Sequence, residues 1–309
     1  MSVIEQAAKR LEELRRAGVD IPAAPEQSAP RGRTNNAAEA AALLATSRAM
    51  EAPSSIAATG FSSIPSPSSP YFELDLAKLA RDGFVTPDIS RSRIADEFRI
   101  VKRPLIVNAT GKRVVPIKNG NLIMVTSAVP GEGKTFSAVN LAMSLAMEMD
   151  QRVLLVDADV ARPSLPQVLG LPSGAGLLDV LQSKSVDLGA TLIRTNVEKL
   201  TILTSGTQNT HATELLASDA MVQLLNELAT RYPDRIVIFD SPPLLATTES
   251  RVLATHMGQI VFVVQAESTL QSDVKKALAA IETCPIKLIL LNQARTVAQG
   301  AYGYGYGYS

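Results

Sequence analysis

The stretch Leu122-Ile-Met-Val-Thr-Ser-Ala-Val-Pro-Gly-Glu-Gly-Lys-Thr135 decides the fold. It opens on a short apolar run with no polar face, which implies a strand buried on both sides. Gly131 and Gly133 then let the chain turn tightly, so that backbone N–H groups can close around phosphate oxygens. From Lys134 the pattern becomes helical, and a helix N-terminus adds partial positive charge at the same spot. Strand, glycine loop and helix in that order form a phosphate-binding loop, with Ala128 at the position of the usual first glycine. Lys134 is then expected to bridge the β- and γ-phosphates of ATP, and the Thr135 hydroxyl to ligate Mg²⁺. Pro130, Gly131, Glu132, Gly133 and Phe136 complete the expected nucleotide-binding segment.

Further apolar runs over 153–156, 200–204, 236–239, 260–264 and 287–291 alternate with helical patterns over 134–149, 213–232, 249–256 and 270–283. Runs of this kind, buried on both faces, predict an α/β domain with a doubly wound, mostly parallel sheet over about 71–295. The second run leads into Asp157-Ala-Asp159 and the fourth into Asp240-Ser-Pro-Pro243. Three carboxylates thus fall at carboxyl ends of strands, where open α/β sheets bind ligands and where a Mg²⁺ ion needs oxygens.

Nothing in the bulk electrostatics suggests a nucleic-acid or anionic-membrane coat, because 30 Lys and Arg balance 30 Asp and Glu, and any polyanion must be met locally. A single cysteine, Cys284, rules out an intramolecular disulfide and fits a reducing compartment. His211 and His256 lack partners at ligand spacing. The start, Met1-Ser-Val-Ile-Glu-Gln, lacks the basic and apolar stretches of a secretory signal, and no apolar run approaches the ~20 residues of a membrane span. A cytoplasmic chain is therefore expected. Residues 1–20 read as an amphipathic helix with Ile4, Ala7, Ala8, Leu11 and Leu14 on one side, and 21–70 as an Ala/Pro/Ser-rich linker. Residues 296–309 form a tail in which Tyr302, Tyr304, Tyr306 and Tyr308 alternate with glycine, so that each hydroxyl is accessible.

Together, 126–135, Val153-Leu-Leu-Val-Asp-Ala-Asp159 with Arg162-Pro163, Ile236-Val-Ile-Phe-Asp-Ser-Pro-Pro243 and the tyrosine tail resemble the bacterial tyrosine kinases, a branch of the deviant P-loop ATPases. Gly206 with Thr213-Glu-Leu-Leu-Ala-Ser218 is similar to another segment of that family. The N-terminal helix and Glu97-Phe-Arg-Ile-Val-Lys-Arg-Pro-Leu105 resemble the subgroup associated with exosortase-linked exopolysaccharide loci.

The resemblance implies an ATP- and Mg²⁺-dependent, non-specific protein-tyrosine kinase that phosphorylates its own tail tyrosines in trans and regulates exopolysaccharide polymerisation and export. It implies that Asp157 takes the proton from the attacking tyrosine, that Asp159 and Asp240 hold Mg²⁺ with Thr135, and that Asn292 contacts the adenine. Implied partners are further copies of the chain in a ring-like homo-oligomer, a separate membrane-spanning activator that recruits the chain to the inner face of the plasma membrane, and a cognate tyrosine phosphatase. No nucleic acid is implied. Two positions depart from the family pattern. Ala161 stands where an arginine is usual, the arginine coming at Arg162, and the oligomerisation pattern Glu, Arg, Arg appears as Asp96, Arg99 and Lys102, expected near one helix face.

Two other readings compete. A positioning ATPase of the kind that partitions DNA or septum proteins commonly carries a lysine five positions before the loop lysine, where this chain has Val129, and lacks a tyrosine tail. The other is a nucleotide-sensing scaffold whose ATPase is incidental and whose Tyr-Gly tail binds the export machinery; an intact Lys134 and three aspartates argue against dead chemistry.

Overall fold

The computed structural model describes residues 69–89, 91–111, 115–183, 185–230 and 234–294. The N-terminal helix, most of the linker and the tyrosine tail lie outside the described residues.

The elements in chain order are β1 (Tyr71–Phe72), α1 (Leu76–Arg81), α2 (Arg93–Ala109), β2 (Leu122–Ser127), α3 (Lys134–Ala146), β3 (Arg152–Asp157), α4 (Leu165–Leu169), α5 (Leu177–Gln182) and α6 (Leu188–Thr191). They continue with β4 (Ile193–Thr195), β5 (Leu200–Leu203), α7 (Ala212–Leu216), α8 (Asp219–Thr230), β6 (Arg235–Asp240), α9 (Glu249–Ala254), β7 (Gln259–Gln265), α10 (Gln271–Ala280) and β8 (Ile286–Asn292). One sheet runs in the order β1-β4-β5-β3-β6-β2-β7-β8. All its pairings are parallel except β4 with β5.

The central strands are apolar on both faces because both are covered. On β2, Leu122 and Met124 point to one core with Phe239 and Phe262, while Ile123 and Val125 point to the other with Met143 and Leu145 of α3. Each such buried side chain contributes about 1.5–3 kcal/mol, which makes β2, β3 and β6 the rigid centre of the molecule. Their carboxyl ends carry the phosphate loop, Asp157 and Asp240.

Three expectations change. β8 reads as a strand buried on both faces, yet it is the sheet's edge, with Ile289 and Leu291 about 60% exposed on the side that α10 leaves bare. The long helix expected over 213–232 is two helices, α7 and α8. Ser218 interrupts it: its hydroxyl bonds the Leu215 carbonyl at 2.7 Å and accepts from Met221 N at 3.4 Å, which starts the second helix. The sequence reading also passed over the short pieces β1, β4, α1, α4, α5 and α6.

Candidate active site

The phosphate loop is shaped by glycines that no other residue replaces cheaply. Gly131 and Gly133 have φ of 89° and 92°, and a Cβ on Gly133 would lie 2.0 Å from Asn292 Nδ2. The first N–H groups of α3, from Lys134 to Phe136, have no acceptor within the helix and converge on the loop. This arrangement is a cradle for phosphate oxygens.

Glu132 belongs to the expected nucleotide-binding segment, and within it the carboxylate bonds to the protein itself. It is 1% exposed; Oε2 accepts from Val129 N at 2.7 Å and Oε1 from the Thr269 hydroxyl. The carboxylate thus ties the loop both to itself and to the turn after β7. Asn292, at the end of β8, donates from Nδ2 to Glu132 O at 2.9 Å and braces the loop from the other side. Phe136 offers only its backbone here, because its ring packs on Phe84 with centroids 5.0 Å apart. The Thr269 brace was missed in sequence because nothing local connects residues 137 positions apart.

The carboxylates gather around the loop's lysine and threonine. Lys134, almost fully buried, places Nζ 4.0 Å from Asp159 Oδ2. Thr135 shares a 2.7 Å hydrogen bond with Ser164. Asp157 is fully buried, with Oδ1 accepting from Asp159 N at 3.2 Å and Oδ2 from Leu165 N at 3.3 Å. Burial, then the neighbouring Asp240, pushes its pKa up to about 8, against the pull of the Leu165 N–H. Burial likewise raises Asp240 to about 7, with Thr135 and Lys134 opposing and Asp159 adding to the rise. Asp159 is raised by burial and held down by Lys134 and Arg162. Arg162 therefore supplies, one position later, positive charge beside Asp159 that Ala161 cannot.

Both Asp240 carboxylate oxygens are buried without a hydrogen-bond partner. Orphaned acceptors beside a buried lysine and a threonine hydroxyl suit a hydrated divalent cation carried in on a nucleotide's phosphates. Among the described residues no cluster of three or more His, Cys, Asp or Glu forms an all-protein metal cage, which Mg²⁺ on phosphates does not need. His211 is exposed, and the buried Cys284 thiol rests against the backbone carbonyls of Met257 and Ile286.

Residues 120–289 match the family described as an AAA domain. Tyrosine-protein kinase YwqD of Bacillus subtilis (strain 168) is 36% identical over 184 residues, which cover 59% of this chain and 76% of that protein. The chain belongs to the bacterial tyrosine-protein kinase family. The putative tyrosine-protein kinase CapB of Staphylococcus aureus is 26% identical over 222 residues, covering 71% of this kinase and 93% of CapB. Among solved structures, the kinase domain of the Escherichia coli tyrosine kinase ETK superposes with a TM-score of 0.58 at 27% identity, over 72% of this chain and 86% of that one.

The kinase departs from expectation at the oligomerisation positions. Asp96 and Arg99 lie exposed and pair with each other, but Lys102 is 4% exposed and points inward. Its Nζ bonds Ser144 O at 2.6 Å and Glu148 Oε1 at 2.8 Å. Three-residue steps advance only ~300° around a helix, so by the second step the side chain has drifted ~120° from Asp96 toward α3. No helix among the described residues of the kinase is long and apolar enough to cross a membrane.

Proposed function

We propose that this kinase transfers the γ-phosphoryl group of ATP to Tyr302, Tyr304, Tyr306 and Tyr308 of a neighbouring copy of the chain. The observation that carries the reading is the pair of unpartnered Asp240 oxygens beside Lys134, Thr135 and Asp159 at a phosphate cradle. The loop N–H groups and Lys134 bind and orient the triphosphate. Thr135, Asp159 and Asp240 would hold Mg²⁺, which when bound neutralises charge on the phosphate oxygens. The tyrosine oxygen forms a bond to the γ-phosphorus as the bond to the β–γ bridging oxygen breaks. ADP leaves with that electron pair, and the phenolic proton passes to the Asp157 carboxylate. Leu165 N and Asp159 N hold that carboxylate in place.

Asn292, which donates to the Glu132 carbonyl of the loop, contacts the adenine. The folded domain spans about 71–295, and the tail over 296–309 serves as acceptor. A separate membrane-spanning protein recruits and activates the kinase, a tyrosine phosphatase resets the tail, and the cycle controls exopolysaccharide polymerisation and export. Val129 supports this reading over a positioning ATPase, because it packs partly buried against the core where such an ATPase would extend a lysine to its partner.

Intact-mass spectrometry after incubation with ATP and Mg²⁺, with and without the activator's cytoplasmic segment, tests the proposal. Mass increments of phosphate are expected in the wild type and absent from both Lys134→Met and the variant with all four tail tyrosines changed to phenylalanine. ATP hydrolysis without any phosphate on the chain would overturn it.

A further inference from the structure

At the amino ends of the strands, opposite the chemistry, the sheet gathers positive charge. A pocket of about 350 Å³ there is lined by Arg152, Arg194, Lys199 and Arg235, with Glu198 the one acidic residue of its wall and Tyr71 beside them. Register brings these residues together from across half the sheet. Arg152 opens β3 directly beside Arg235, which opens β6. Arg194 of β4 lies between Tyr71 of β1 and Thr201 of β5, and Lys199 immediately precedes β5.

Neighbouring strands are about 4.8 Å apart, so like charges in register repel. The contacts within the chain leave much of that charge in place. Arg152 Nε meets Asp234 Oδ2 at 3.6 Å, where both side chains are more than half exposed. Arg194 Nη2 donates to Ser69 O at 3.3 Å, and Lys199 Nζ donates to Glu148 O and Met149 O at 2.7 and 2.9 Å. Backbone carbonyls orient these cations without neutralising them. Arg235 is 4% exposed and gives the pocket its depth.

A doubly charged anion with several acceptor oxygens would relieve the repulsion and match the planar guanidinium forks. The cavity is at the small end of ligand sites, with room for one ring and its phosphate. Tyr71, 59% exposed, offers an aromatic face next to Arg194. Clusters of arginine recognise phosphorylated side chains in this way.

We infer that this pocket binds phosphotyrosine and that its ligand is the kinase's own product, the phosphorylated tail. The inference rests on the tail-phosphorylation reading above and adds a product site to it. Residues 296–309 carry no charged side chain, so an unmodified tail has nothing to offer the cations; each phosphate then adds about −1.5 to −2 charge. β3 is six residues long, about 20 Å, and separates the pocket from Asp157 at its other end. A phosphotyrosine held there is clear of the nucleotide and leaves the acceptor position to the next tyrosine. From residue 294 to Tyr308 the chain spans up to about 46 Å, so the tail of the same copy or of another can arrive.

The test measures binding without transfer. Fluorescein-labelled nonapeptides of residues 301–309, one with phosphotyrosine at 304 and 306 and one unmodified, are titrated by anisotropy into the full chain whose four tail tyrosines are phenylalanine. Phosphorylation should tighten binding at least tenfold. Arg152→Glu and Arg194→Glu, both at exposed positions, should each weaken the phosphopeptide at least tenfold, while Lys275→Glu, the same change of sign on exposed α10, leaves it within twofold. Fluorescent ADP bound within twofold of wild type shows that the variants fold. Equal affinity for the two peptides, or equal effects of all three variants, overturns the site. Phosphatidylglycerol vesicles released by Arg194→Glu, with the phosphopeptide unaffected, would overturn it in favour of a membrane surface. On tails phosphorylated by the kinase itself, an added phosphatase should act at least threefold more slowly on wild type than on Arg194→Glu. Protection independent of protein concentration assigns the same copy's tail, protection that rises with concentration assigns a neighbour's, and no protection overturns the docking. If the chain gains no phosphate from ATP, the kinase reading falls while the peptide titration still decides the pocket.

Discussion

Asp240→Asn should make the magnesium-free protein more stable at pH 8 while abolishing phosphoryl transfer. Asp240 is fully buried and sits near two other carboxylates, and the Thr135 hydroxyl and Lys134 offset this only in part, so its pKa stands at about 7 instead of 3.8. A raised carboxylate pKa means that the folded state holds a proton the unfolded chain has already released. Stability from this group is thus full below pH 3.8 and falls as pH rises toward 7. At 1.36 kcal/mol per unit, the interval from pH 5.5 to 7 alone costs about 2 kcal/mol. Asp157, raised to about 8, continues the loss beyond that and is pushed up partly by Asp240 itself. Urea denaturation in chelator across pH 5.5–8.5 should show the wild type losing about 2 kcal/mol more than Asp240→Asn, the burial-driven Asp157 contribution remaining in both. Adding Mg²⁺ with a non-hydrolysable nucleotide should restore the wild type and leave the variant unchanged. A pH-independent wild type in chelator, or a variant less stable than wild type at pH 8, refutes the reasoning.

Other consequences follow from single contacts. Gly133→Ala forces a residue with a Cβ to φ 92°, at about 1–2 kcal/mol, and pushes Asn292 off its bond to Glu132; calorimetry should show nucleotide affinity lowered at least tenfold, and undiminished binding would remove the cradle from the account. Lys102→Ala strands Glu148 and the Ser144 carbonyl; because Glu148 is about a quarter exposed, the loss by denaturation should be about 2 kcal/mol, below the 3–5 typical of a fully buried pair. Arg99→Ala, on the exposed face, should instead change sedimentation and leave stability within about 0.5 kcal/mol. Thr269→Val removes the donor to Glu132 and should cost about 1–2 kcal/mol while weakening nucleotide binding, measured on the same samples.

The centre of the sheet was legible because β2, β3 and β6 are buried on both faces and show it as unbroken apolar runs that end in the chemistry-bearing residues. β8 carries a similar run but lies at an edge, and composition alone does not say which strand is last. Lys102 was misread for a geometric reason: charges at three-residue steps look collinear in sequence and drift around a helix. The brace from Thr269 to Glu132 and the close Gly176–Gly206 approach join positions far apart in the chain, so they exist only once the sheet has brought the strand ends together. Glu132 shows the same limit from the other side: its place in the loop puts it in the expected nucleotide-binding segment, while the bonds of its carboxylate to Val129 N and Thr269 were not legible.

The most direct test of transfer between copies mixes two chains: Lys134→Met with its tail intact, and a wild-type site whose four tail tyrosines are phenylalanine. Neither can modify itself. After incubation with ATP, Mg²⁺ and the activator segment, intact-mass spectrometry should find phosphate on the Lys134→Met chain, at up to four increments. Phosphate on neither chain, under conditions where the unmixed wild type is phosphorylated, would contradict the account.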